Sequence, residues 1–174
     1  CTVVLKPAES TPLSALALAD LADKAGLPSG VLNIITSTKP AEISEILTKD
    51  IRVRKISFTG STAVGRQLMA QAAMHIQKIS LELGGNAPFI VFASADIDKA
   101  VEGVIASKFR NAGQTCISAN RIYVQDGIFD TFKQKIISKI NALKVGAGLE
   151  KDVAVGPLIN MEAVERIEKM IETA

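Results

Sequence analysis

Apolar residues follow two periodicities that alternate along the chain. Short apolar runs of strand length recur at 2–5, 31–36, 55–59, 79–83, 89–92 and 121–125. Longer segments with apolar positions three and four residues apart predict helices at 11–25, 40–48, 62–74, 97–110, 128–143 and 161–174. Strands that alternate with helices are typical of parallel sheets with crossover helices. The sequence therefore predicts an α/β fold with a Rossmann-like part.

The predicted helix at 11–25 has the clearest boundaries. Thr11 is a candidate N-terminal cap, and Pro12 suits a first helical turn. Gly26, with Pro28 close behind, is a strong stop signal.

A glycine pair, Gly84 and Gly85, separates two apolar runs and is a candidate domain boundary. We expect residues 1–83 to form part of one domain and residues 84–174 part of another. The chain starts inside an apolar strand at Cys1. We therefore expect it to be a piece of a longer protein whose active site is divided between pieces.

Composition narrows the classes of function. With 48% hydrophobic and 22% charged residues, the chain can bury a sizeable core. The net charge is only +2, and the one basic cluster, at 52–55, has no interleaved aromatic residues. Neither nucleic acid nor an acidic membrane surface is an expected partner. Two cysteines and no metal-ligand spacing indicate no disulfide framework, no metal site and a cytoplasmic setting.

Two motifs are candidates for nucleotide binding. The segment from Gly60 to Gly65 follows a strand and opens a helix, so its N–H groups could face a phosphate; an ordinary turn explains it as well. Lys6 and Glu9 follow the first strand, where ligands of parallel sheets bind. They could contact a ribose, although a solvated ion pair is the simpler explanation.

Two other residues are candidates for catalysis. Cys116 lies in a loop of small residues, which offers a thiolate access and N–H donors; a buried, inert thiol is the alternative. Glu82 lies on the apolar run 79–83, where burial would favour a general base; a side chain pointing into water is equally compatible. His75 is the only histidine, so a Ser/His/Asp hydrolase is poorly supported.

The order of four motifs resembles the aldehyde dehydrogenase superfamily over essentially the whole chain. They are K-P-A-E at 6–9, F-T-G-S-T-A-V-G at 58–65, E-L-G-G-N-A-P at 82–88 and G-Q-T-C at 113–116. Segments 81–92 and 107–116 are most similar to the succinate-semialdehyde branch of this superfamily.

The resemblance implies that residues 1–83 are the C-terminal part of an NAD-binding domain and that residues 84–174 are the N-terminal part of a catalytic domain. It also implies a role for each matching residue. Cys116 would be the nucleophile, and Glu82 the base that activates water. The implied cofactor contacts are Lys6 and Glu9 at the adenosine ribose, Gly60 and Ser61 at the pyrophosphate, and Val64 near the adenine. Arg110 would bind the distal carboxylate of the substrate.

The implied activity is oxidation of an aldehyde, succinate semialdehyde in that branch, to the acid through a cysteine thioester, by a homo-oligomer. Glu9 can accept a hydrogen bond from a ribose 2′-hydroxyl and would repel a 2′-phosphate, so we expect NAD in preference to NADP. Three alternatives stay open: a dehydrogenase for another aldehyde, a related module without turnover, and a cysteine hydrolase without cofactor.

Overall fold

The computed structural model describes residues 1–173 and divides into two compact units. The first unit is Cys1–Glu82, and the second begins at Leu83. The assignment of the two units to cofactor-binding and catalytic domains stays a prediction.

The first unit alternates strands and helices. Its elements are β1 (Val3–Leu5), α1 (Leu13–Lys24), β2 (Leu32–Ile34), α2 (Pro40–Lys49), β3 (Lys55–Gly60), α3 (Thr62–Ala73) and β4 (Lys78–Leu83). β1 pairs with β2 in parallel, with Leu5 opposite Ile34, and β3 pairs with β4. Because β1 and β2 run in the same direction, the loops that follow them emerge at the same edge of the sheet.

Helix α1 begins differently from the prediction. Pro12, with φ −77° and ψ −23°, occupies the N-cap position, and no side chain caps the helix. The Thr11 N–H instead donates to the Ala8 carbonyl at 3.2 Å and closes a turn before the helix. Thr11 is therefore not the cap. The predicted end of the helix is confirmed. Gly26 has φ +84°, and the Leu27 N–H donates a hydrogen bond to the Ala22 carbonyl at 3.0 Å.

The second unit contains a β-α-β arrangement followed by two helices. Its elements are β5 (Ala87–Val91), α4 (Ile97–Phe109), the 3-10 turn Arg110–Gly113, β6 (Ala119–Val124), α5 (Asp126–Asn141) and α6 (Met161–Glu172). β5 and β6 pair in parallel, with Val91 opposite Val124. The predicted parallel α/β architecture is confirmed in both units.

A buried cluster joins β5 to helices α4 and α5. Val91, Val101, Val104 and Phe132 are each at most 3% exposed. At the start of α4, the Asp96 carboxylate accepts hydrogen bonds from two N–H groups of the first turn, at 3.0 and 3.2 Å. This core and cap fix α4, whose C-terminal end leads into the loop that carries Cys116. No helix formed by residues 1–173 has the length and apolar character required to cross a membrane.

Candidate active site

The loops after β1 and β2 border an open cavity of about 260 Å³. It is lined by residues 7–9, Pro12 and residues 36–38. Because it lies at the carboxyl ends of two adjacent parallel strands, its position is the one at which open α/β sheets bind nucleotides. Ser37 lines the cavity, and its Oγ accepts a hydrogen bond from the Lys39 N–H at 2.9 Å.

Lys6 and Glu9 form an ion pair beside this cavity. The Lys6 Nζ donates a hydrogen bond to the Glu9 Oε1, three residues further along the chain. This bond, with a backbone hydrogen bond, lowers the pKa of Glu9 below its usual value. The carboxylate therefore stays ionised to lower pH than an isolated glutamate, and it offers an acceptor at the cavity wall.

The turn after β3 is tightly packed. β3 ends at Gly60, where an added Cβ would overlap the Phe58 ring and the ring would have to move. Ser61 caps α3, and its Oγ accepts a hydrogen bond from the Val64 N–H at 3.3 Å. The Val64 side chain is 39% exposed. The N-terminus of α3 is thus formed as the sequence predicts, whereas its contact with a pyrophosphate stays a prediction.

A left-handed backbone segment precedes Cys116. Asn111 has φ 52° and ψ 38°, Ala112 has φ 56° and ψ 31°, and Gly113 has φ 76°. Left-handed conformation costs roughly 1–2 kcal/mol for each residue that is not glycine. Such strain persists only where surrounding contacts impose it, and it is concentrated at functional sites.

The cysteine itself is accessible. Cys116 is exposed, and its thiol is not in a disulfide. A Cβ added to Gly85 would lie 3.4 Å from the Cys116 carbonyl oxygen. The link between β4 and β5, which contains Gly85, therefore runs beside the backbone of Cys116. Asn120 supports that link, because its Nδ2 donates to the Gly85 carbonyl at 3.4 Å. The loop therefore presents a thiol to solvent, as required of a nucleophile or as found for an inert exposed cysteine.

Glu82 is exposed, which is the second of the two possibilities that the sequence left open. Along β4 the burial alternates: Ile79, Leu81 and Leu83 are half-buried, whereas Glu82 is exposed. The alternation follows from the two-residue period of a strand, which places Glu82 on the opposite face from its apolar neighbours. Glu82 is therefore accessible to water in the described structure.

Arg110 follows α4 as its C-terminal cap and is exposed. Among residues 1–173, no carboxylate lies within ion-pair distance of its guanidinium, in contrast to Arg52, which pairs with Asp50 at 2.5 Å. The same residues contain no group of three His, Cys, Asp or Glu side chains that could hold a metal ion.

Sequence reasoning missed Gln114, whose side chain makes two hydrogen bonds in the cysteine loop. Its Nε2 donates to the Asn111 carbonyl at 3.0 Å, and its Oε1 accepts from the Ile159 N–H at 2.9 Å. Asn111, which tolerates left-handed backbone better than most residues, was the available signal that this loop adopts a special conformation.

Comparison with known proteins places these features in one family. The aldehyde dehydrogenase family profile matches residues 1–174. The chain is 59% identical to an NADP-dependent succinate-semialdehyde dehydrogenase of Escherichia coli, over 100% of this chain and 36% of that protein. It is 58% identical to a glutarate-semialdehyde dehydrogenase of Pseudomonas putida, over the same shares.

A crystal structure of an NADP-dependent enzyme from E. coli has a similar fold. It matches with a TM-score of 0.96 and 59% identity, over 99% of this chain and 36% of that one. The chain thus spans about 36% of the length of these three proteins. Because the family profile covers every residue, the chain belongs to the aldehyde dehydrogenase family.

Proposed function

We propose that the full-length protein oxidises an aldehyde with a distal carboxylate, such as succinate semialdehyde, to the corresponding acid, with transfer of a hydride to a nicotinamide dinucleotide. The observation that carries the proposal is the exposed Cys116 thiol beside a strained turn, in a chain of this family. Two relatives named for semialdehydes of dicarboxylic acids support the class of substrate.

Cys116 and Glu82 perform the chemistry in this proposal. The Cys116 thiolate attacks the aldehyde carbon, and the Cys116 backbone N–H helps to stabilise the resulting oxyanion. Loss of hydride from that carbon leaves an acyl thioester on the Cys116 sulfur. Glu82, which is exposed to water, removes a proton from the water molecule that hydrolyses the thioester. The acid leaves, and the thiolate is restored.

The first unit offers contacts that fit a dinucleotide. Glu9 and Lys6 would bind the adenosine ribose, Gly60 and Ser61 would approach the pyrophosphate, and Val64 would contact the adenine. The cavity after β1 and β2 supports this assignment, since it combines a carboxylate acceptor with small side chains. When bound, the nicotinamide accepts the hydride.

We propose NAD in preference to NADP, although the E. coli relative is named for NADP. Replacement of Glu9 by serine removes an acceptor for the 2′-hydroxyl and a charge that repels a 2′-phosphate. A hydrogen bond to a charged group contributes about 1.5–3 kcal/mol. The ratio of kcat/KM for NADP to that for NAD should therefore rise about tenfold or more, as measured by initial rates with each cofactor.

A matched control is Glu42→Ser. Glu42 also pairs with a lysine three residues away, Lys39, at 3.0 Å, but it does not line the cavity. Its replacement should leave the cofactor ratio unchanged. An equal ratio in Glu9→Ser and wild type would refute the proposed role of Glu9.

The assay that tests the function compares two aldehydes in the full-length protein and in Arg110→Ala. A guanidinium without a carboxylate partner in the described chain can bind a distal carboxylate through two hydrogen bonds. Arg110→Ala should raise KM for succinate semialdehyde about tenfold to a hundredfold, and KM for a neutral aldehyde of similar length less than about twofold. Arg110→Lys should have an intermediate effect, because lysine keeps the charge without the paired donors.

Arg166→Ala is the control, since Arg166 is an exposed arginine of α6 in the same unit. It should leave both KM values unchanged. Equal losses on both aldehydes in Arg110→Ala would contradict recognition of a carboxylate. Absence of cofactor reduction by the wild-type protein would contradict the dehydrogenase itself and favour a module without turnover.

A further inference from the structure

We propose that Gln114 is a positioning residue that fixes the Cys116 loop by tying it to the segment before α6. The proposal rests on the proposed function for its catalytic consequence, but the placement of the loop is a separate claim. In this proposal the Gln114 side chain does not react; it holds the loop that carries Cys116 in place.

Gln114 closes the strained turn through three hydrogen bonds with Asn111. Its backbone N–H donates to the Asn111 carbonyl at 3.1 Å, and its side-chain Nε2 donates to the same oxygen at 3.0 Å. In return, the Asn111 Nδ2 donates to the Gln114 carbonyl at 3.3 Å. Because Asn111 and Ala112 are both left-handed, this turn requires such contacts to persist.

The remaining end of the Gln114 side chain reaches a distant segment. Its Oε1 accepts a hydrogen bond from the backbone N–H of Ile159, 45 residues further along the chain, at 2.9 Å. Ile159 immediately precedes Asn160, whose side chain caps α6 through the Ala163 N–H at 2.9 Å. A single half-buried amide thus links the cysteine loop to the start of a helix.

Cys116 therefore lies between two anchors. On its C-terminal side, the backbone is held where Ser118 and Ala119 are buried and the Ala119 N–H donates to the Ser107 Oγ at 3.3 Å. On its N-terminal side, the side-chain anchor is Gln114, two residues away. Loss of this anchor should allow the strained turn to relax and the sulfur to move. A displacement of about 1 Å from the reacting geometry can lower a rate about a hundredfold.

The test uses Gln114→Met in the full-length protein, because methionine preserves the length of the side chain and removes both hydrogen bonds. Two quantities are measured: steady-state kcat and KM, and the rate at which iodoacetamide alkylates Cys116, followed by peptide mass spectrometry. We expect kcat to fall about tenfold to a hundredfold while KM for the cofactor changes less than about twofold. We expect the alkylation rate of Cys116 to change at least about threefold, with that of Cys1 unchanged.

The matched control is Gln77→Met. Gln77 is also half-buried, and its Nε2 donates to the carbonyls of Leu47 at 3.2 Å and Val53 at 2.8 Å in the first unit. Gln77→Met therefore measures the general cost of removing a glutamine that makes two hydrogen bonds. It should leave both kcat and the alkylation rate of Cys116 at their wild-type values. If Gln114→Met matches Gln77→Met in both quantities, the positioning role is wrong.

A second variant covers the case in which Gln114→Met does not fold. Gln114→Glu keeps an acceptor for the Ile159 N–H and loses the donor to Asn111. The kcat and the Cys116 alkylation rate of Gln114→Glu should lie between those of wild type and Gln114→Met. If the methionine variant is insoluble, Gln114→Glu should still have a lower kcat and a different alkylation rate from wild type. Wild-type values in Gln114→Glu would overturn the claim that the turn must be closed by the Nε2 donor.

The two proposals fail in different ways. If wild-type protein oxidises no aldehyde, the proposed function is wrong, while the alkylation rates still decide whether Gln114 places the cysteine. If wild type is active and Gln114→Met is equally active and equally alkylated, the dehydrogenase stands and the positioning role does not.

Discussion

Cys116→Ala in the full-length protein should lower kcat for aldehyde oxidation about a thousandfold or more. The proposed reaction forms a bond between the Cys116 sulfur and the aldehyde carbon, and alanine offers no atom for that bond. Removal of a nucleophile typically lowers kcat by several orders of magnitude, because no alternative reaction route has a comparably low barrier. The measurement is the initial rate of nicotinamide reduction at saturating aldehyde and cofactor.

The chain provides its own control for this experiment. Cys1 is the other cysteine of this sequence, and it is also exposed and unpaired, but it lies two residues before β1 rather than in a strained loop. Cys1→Ala should retain wild-type kcat. Cofactor should still bind to Cys116→Ala with wild-type affinity, as measured by quenching of protein or cofactor fluorescence. A fully active Cys116→Ala would remove the basis of the proposed function.

The fold was largely predictable because its elements depend on local periodicity. The strands found at Lys55–Gly60 and Lys78–Leu83 lie within one residue of the apolar runs at 55–59 and 79–83. Gly26 stops α1 because a left-handed residue is required there. The cap of α1 was not predictable in the same way. Whether Thr11 caps a helix or closes a turn with Ala8 depends on where the preceding strand ends, and propensity does not determine this.

The candidate site was predictable only in part. The position of Glu9 at the edge of the sheet follows from the end of β1, and the cavity beside it is present. For Glu82 the sequence left burial and exposure equally compatible, and the two-residue period of the strand places its side chain on the exposed face. Gln114 was missed because its hydrogen-bond partner, Ile159, lies 45 residues further along the chain, and no local sequence pattern predicts that hydrogen bond.

Phe132→Ala should destabilise the second unit by about 3–5 kcal/mol, the range for truncation of a buried phenylalanine. Phe132 is 3% exposed and joins α5 to Val91 of β5 and to Val101 and Val104 of α4. Loss of the ring leaves a cavity among side chains that are themselves fully packed. Hydrogen exchange of the full-length protein should show the opening free energy of α4 and β5 amides lowered by this amount.

Phe129→Ala is the matched control, because Phe129 lies three residues earlier on the same helix and is 47% exposed. Its ring faces solvent near Lys133, with Nζ 6.0 Å from the ring centre, so its removal should cost less than about 1 kcal/mol. Equal losses of unfolding free energy in the two variants would show that the cluster of Val91, Val101, Val104 and Phe132 is not the core of this unit. The contrast also bears on catalysis, since α4 leads directly to the strained turn before Cys116. A loosened α4 should lower kcat at temperatures at which Phe129→Ala is still fully active.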